Sequence, residues 1–235
     1  MPKGEQTQLI IAEHLFEARF RPIGSFLDVR GHVADHVSAA FGIPHWRIDQ
    51  HTINFHDVNE GIDKIGAFVS FRNAGLEAHD APTRNFFEDK AEAFWKAFQS
   101  FSGFEIPQIN RLGVRTKAFL KLDLPFEKIE QTLTSKLLTS DAVSIFGSKP
   151  ADFGVVVGLE EKGLKLRIQL GPFKKKEVQQ FFRFKSEHFE SAGVLVDCDV
   201  YSDELQDAHS VPKNIRAGAK LAWLKTDNIF DKLGL

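Results

Sequence analysis

Two stretches of this chain follow the same plan, and that repetition is the strongest constraint on its fold. In the first, an alternating run ends at Pro22, an apolar-periodic helix follows, and the segment closes at Phe41-Gly42. In the second, an alternating run ends at Pro125, another helix follows, and the segment closes at Phe146-Gly147. Each then offers strand-like segments and finishes in a helix that carries a tryptophan, Trp95 or Trp223. The expectation is an α+β fold, mainly antiparallel, with helices packed on one face and two βαββ-type repeats. Residues 1–107 form the first unit and 108–235 the second. The segment 103–110 between them is short and apolar, which favours one continuous globular domain over two independent ones.

Periodicity sets the elements. From Ile10 to Phe20 the even positions carry Ala12, His14, Phe16, Ala18 and Phe20, and the odd ones Glu13, Glu17 and Arg19. This is period-two alternation, a half-buried strand. Phe26, Val29, Val33, Val37 and Phe41 recur at helical spacing, with Ser25 before them and Gly42 as the stop. Residues 46–56 read as one strand with imperfect alternation, 57–61 as a turn, and Ile65 to Phe71 as a clean strand. After Pro82-Thr83, the positions Phe87, Ala91, Phe94, Phe98 and Phe101 make one helical stripe, with Phe86 and Trp95 off it. In the second unit Leu112 to Leu124 is the longest alternation. A helix follows through Phe126, Ile129, Leu133 and Leu137, and then a hairpin turns at 160–163. A short helix from Lys174 to Phe184, a strand from Val194 to Tyr201 and a closing helix from Pro212 to Leu233 complete the reading.

Composition narrows the function. The chain has 235 residues, a net charge of −2, 23 Phe and 1 Tyr. Without an electropositive excess, a nucleic acid held by phosphate neutralisation is not expected. Phenyl rings have no polar handle, so most are packing material. Lys174-Lys175-Lys176 reads as a solvated run. Cys198 is the single cysteine, which leaves no intramolecular disulfide and no cysteine zinc set. The apolar stretch near the N-terminus is short and broken by Glu13 and His14, so neither a signal peptide nor a membrane partner is expected. The reading is a cytoplasmic protein.

The strand Glu13-His14-Leu15-Phe16-Glu17-Ala18-Arg19-Phe20, the mid-chain Arg111-Leu112-Gly113-Val114-Arg115 and the helix from Ile215 to Leu233 together resemble a sporadically distributed prokaryotic family of uncharacterised function. The resemblance implies no known activity, substrate or catalytic residue.

Four constellations are candidates for chemistry. Asp28, His32 and His36 share one helix stripe, beside Asp35; two histidines four apart can share zinc, but no completing ligand is legible, so a solvated flank is expected. Asp197, Asp199 and Tyr201 project from one strand face, a cation set or simply a wet face, with Cys198 on the apolar side. His14 on the apolar side of its strand is a hydrogen-bonded core residue. Arg19, Arg21, Arg111 and Arg115, with Lys117 and Lys121, can line one groove and clamp an anionic small molecule. The competing reading pairs these cations with Glu13, Glu17 and Asp123 across a wet sheet. No phosphate-loop or Gly-x-Ser-x-Gly pattern exists, and no cofactor and no metal are expected. The function expected is a non-catalytic binding or protein-interaction module, engaging a protein partner or a second copy. The alternative is an enzyme or small-ligand binder that uses the arginine-lined groove.

Overall fold

The computed structural model describes residues 9–58, 64–145, 147 and 153–234. Phe146 and positions 59–61 of the expected turn lie outside the described residues. Nine strands form one antiparallel sheet in the order β2-β3-β4-β5-β1-β6-β9-β8-β7. In chain order they are β1 (Ile10–Phe20), β2 (His45–Ile48), β3 (Thr52–His56), β4 (Ile65–Ser70), β5 (Asn73–His79), β6 (Ile109–Lys121), β7 (Val155–Glu161), β8 (Leu164–Phe173) and β9 (Gly193–Ser202). The helices are α1 (Phe26–Phe41), α2 (Phe86–Gln99), α3 (Phe126–Leu137), the short α4 (Ser140–Ile145) and α5 (Val211–Leu233).

The order of elements recurs in the two halves. β1 and β6 lie side by side at the centre, antiparallel, in a register running from Ile10↔Leu120 to Arg19↔Arg111. Each is followed by helix, then by a meander that starts at the sheet's outer edge and returns to the centre, and then by a long helix. Neither half is a βαββ unit: four strands follow α1, and three follow α4. The likeness is one of topology, and an internal duplication of sequence does not follow from it.

Alternation decides which side is dry. The even residues Phe16, Ala18 and Phe20 of β1, Val114 and Ala118 of β6, and Val194, Val196 and Val200 of β9 are buried. They pack in two clusters that also hold Val33 and Val37 of α1, Phe94 and Phe98 of α2, Ile129 and Leu133 of α3, and Ile215 and Ala222 of α5. These four helices therefore cover one face. Gly42 closes α1 in the left-handed region (φ 76°), with its N–H bonded to the Ser38 carbonyl. Trp95, off the expected stripe, is fully buried, because α2 is covered by α1 and α5 as well as by the sheet. Its indole N–H donates to the Ala208 carbonyl at 2.9 Å.

Two local readings change, and one strand is found where none was expected. The expected single strand at 46–56 is a hairpin, β2 and β3, with the Asp49 N–H bonded to the Thr52 carbonyl at 2.8 Å; that turn broke the alternation. β5 carries weak strand formers, Ala74, Gly75 and Ala78. It sits beside β1 because Gly75 lets the Phe68 ring lie across it: a Cβ there would meet the ring at 2.6 Å and the Phe16 carbonyl at 2.4 Å. The helix expected from Lys174 is instead two short 3-10 segments, Glu177–Phe181 and Glu187–Glu190. They fold over the opposite, polar face. There Val178, Phe182, Phe184 and Phe189 bury the odd-numbered Ile11, Phe119 and Leu195.

Phe98 is fully buried, stacked on Phe20 at 6.2 Å and edge-on to Trp95 at 5.8 Å. Phe98→Ala is expected to cost about 3–5 kcal/mol from the transfer and cavity terms together. Urea denaturation of variant and wild type reads this directly, and a loss below about 1 kcal/mol would refute the core assignment.

Candidate functional site

The polar face of the central strands carries rows of charge. Register sets Glu13 opposite Lys117, Leu15 opposite Arg115, Glu17 opposite Gly113 and Arg19 opposite Arg111. On the other side of β6, Asp197 faces Lys117, Asp199 faces Arg115 and Tyr201 faces Gly113. Beyond them Gln169 of β8 faces Asp197, and Arg167 faces Asp199.

The candidate arginines on these strands are bonded within the chain. Arg19 donates to Glu17 at 2.7 Å. Arg111 donates to Asp203 at 2.9 Å and lies over the Tyr201 ring at 4.1 Å. Arg115 grips Asp197 with two donors, Nε at 2.8 Å and an Nη at 2.5 Å. Arg21 is exposed past the end of β1. Arg19 lines a recess of about 580 Å³ with Glu17, Arg72 and Asn73, whereas Arg115 lines a different, much smaller one with Lys117 and Arg183. The electrostatics follow this pairing. Donation to the Asp197 carboxylate raises the Arg115 guanidinium. Burial pushes Glu17 up, but its bonds from Arg19 and Asn73 outweigh it and leave the carboxyl below its usual range. For Asp199 burial dominates, and its carboxyl is raised despite nearby Arg111 and Arg115.

Where the 3-10 segments cover the sheet, charge is buried with them. Lys117 donates to Glu13 at 2.6 Å and to the Phe181 carbonyl at 2.7 Å, and the Arg183 N–H donates to the other Glu13 oxygen at 2.7 Å. Arg183 also bridges to Glu77. His79 lies 3.9 Å from both Glu13 and Glu77 and stacks on Phe184. Glu13 and His79 are each only 5% exposed, so this knot satisfies charge that water does not reach. It ties the covering segment to the sheet.

Beside that cover lies a recess of about 460 Å³, within the roughly 300–1,000 Å³ typical of small-molecule sites. Its lining comes from β8 and β9 around Gly171, where the Phe153–Gly154 backbone packs so close that a Cβ would meet the Phe153 carbonyl at 3.1 Å. Its walls are the rings of Phe126, Phe173 and Phe181; the last two meet edge to face at 4.7 Å. Polar groups converge from Gln169, Gln180 and the Asp197 carboxylate already held by Arg115. Glu177 reaches back to the Lys174 N–H at 2.9 Å, and Lys174 lies over the Phe126 ring at 5.1 Å. The rim is thus mostly neutral or internally compensated.

Sequence reading missed this recess. Its one signal is the break in the β8 alternation at Gly171-Pro172. The walls come from α3 and from the 3-10 segment, far apart in the chain.

The remaining candidates sit elsewhere. His36 bonds Ser100 at 2.9 Å beside Phe101, and no group of three metal-capable side chains occurs among the described residues. Cys198 is buried, and burial pushes its thiol up to about 12. His14 donates to or accepts from Thr116 at 3.1 Å, stacked on Phe87. Lys175 and Lys176 reach Glu190, at 3.5 and 3.6 Å. No helix among the described residues is long and apolar enough to cross a membrane. No protein-family model matches the chain, and no curated protein matches it.

Burial lowers His14 from 6.5 to about 4. The unfolded chain then binds the proton more tightly, so the contribution of neutral His14 is complete above pH 6.5 and is lost as pH falls toward 4. The shift corresponds to about 3 kcal/mol. Urea midpoints at pH 7 and pH 4.5 should differ markedly less for His14→Gln than for wild type; equal differences would refute this linkage.

Proposed function

We propose that this protein is a non-catalytic binding protein that takes up a small, largely uncharged molecule in the Gly171 recess. The observation that carries the reading is the grouping of two primary amides and a compensated carboxylate with three phenyl rings around one recess. Rings supply contact area, and the amides Gln169 and Gln180 fix orientation by hydrogen bonding. One group that often drives catalysis is set against it, since burial keeps the Cys198 thiol protonated at pH 7, and His14 is closed off from solvent.

The arginine-groove alternative rests on Arg19 and Arg111 standing opposite one another. Exposed ion pairs are worth only about 0–1 kcal/mol, so an anion could displace their carboxylates at small cost. What favours the Gly171 recess is its lining of phenyl rings and amides, which the arginine row lacks.

A thermal-shift and calorimetric screen of metabolite-sized compounds, neutral and anionic, tests both. A compound bound in the recess should lose about fivefold in affinity with Gln169→Ala, the worth of one neutral hydrogen bond, and more with Phe181→Ala. A ligand indifferent to both variants but lost with Arg19→Gln or Arg111→Gln would replace this reading with the anion clamp. Turnover of any bound compound would end the non-catalytic assignment.

A further inference from the structure

The two edges of the sheet are unlike. β2 is four residues long and carries exposed Trp46 and Arg47. Short, charged edges are how sheets avoid pairing with other chains. β7 is seven residues long, Val-Val-Val-Gly-Leu-Glu-Glu, and among the described residues it pairs on one side only, with β8. Val156, Val157 and Leu159 are 56%, 37% and 43% exposed. Neither lysine nor proline interrupts it. On the helix-covered side, an apolar groove of about 390 Å³ runs beside it, lined by Leu137, Val157, Leu159, Ile168, Ile229 and Leu233.

We propose that this edge pairs with the β7 of a second copy of the chain, antiparallel and centred on Val157, to give one sheet continuous through the dimer. The strand is complementary to itself in that register. Residues directly opposite in an antiparallel pair share a face. Centring on Val157 sets Val157 against its own copy, and Val155 against Leu159 of the copy. All three lie on the groove side. Glu160 then falls opposite Gly154 of the copy, so no carboxylate faces a carboxylate. Centring one residue later would set Glu160 against Val156 and Glu161 against Val155. Symmetry favours the copy over another partner: an isologous β7 pair consumes both edges and closes at two. Pairing β7 with β2 would instead build an open chain of molecules, which the short, charged β2 opposes.

Sedimentation velocity over a wide range of protein concentration tests the proposal. Wild type should sediment as a dimer that dissociates on dilution. Val157→Lys should be monomeric throughout, while Trp46→Lys, at the other edge, should dimerise as wild type does. Unfolding midpoints check that each variant folds. Val157→Cys should cross-link to its own copy under mild oxidation, since the native thiol is buried, whereas Val155→Cys should not. If Val157→Lys does not fold, the cysteine pair decides the question. A monomeric wild type, a dimer that survives Val157→Lys, or no self-cross-linking at position 157 would each overturn the proposal.

Discussion

The pairing of β1 with β6 is the interaction on which the rest of the molecule depends. It joins the two halves over the full length of both strands, and its two faces do different work. The dry face offers Phe16, Ala18, Val114 and Ala118 to helices from both halves. The wet face aligns Glu13 with Lys117 and Glu17 with the gap at Gly113, so carboxylates and cations meet across strands. A slip of one residue would send the phenyl rings to water and the charges into the core. Register is thus fixed by two opposed penalties at once.

The phenylalanine excess follows from a sheet covered on both sides. Helices need rings such as Phe87, Phe94 and Phe98 to fill the main layer. The 3-10 segments between β8 and β9 bring Phe182, Phe184 and Phe189 to the other side. A segment with so little regular structure cannot rely on a helical stripe. It is held by rings against Ile11 and Phe119, and by backbone and side-chain bonds to Glu13, Lys117 and Glu77. That arrangement also shapes the recess, because Gln180 and Phe181 of the covering segment form part of its lining.

Elements with a strong period were legible in the sequence: β1, β6, β8, α2 and α5 each repeat apolar residues at two or at three-to-four. β5 was not, because its register depends on a ring from a neighbouring strand crossing Gly75, which no local pattern encodes. Trp95 was misplaced because one stripe was counted on a helix that is covered from several sides. The site divides in the same way. The row of Arg19, Arg111 and Arg115 is visible as alternation, and so is the Glu17 that Arg19 binds, but the carboxylates that bind Arg111 and Arg115 come from Asp203 and from β9, and that pairing is a property of register. The recess is assembled from residues near 126, 153, 170, 181 and 196, so only the closed topology brings it into being.

Cys198 offers a use of its own. It is the chain's single sulfhydryl, fully buried on β9, between β6 and β8 and beneath the helices. A protonated thiol without access to solvent does not react with an alkylating reagent while the sheet is closed. Each labelling event therefore counts an opening that separates helices from the middle of the sheet. The rate at which the native protein takes up such a reagent becomes a clock for its largest fluctuations, set by the free energy of opening and not by exposure. One atom, placed where nothing reaches it, reports on the cohesion of the whole layer.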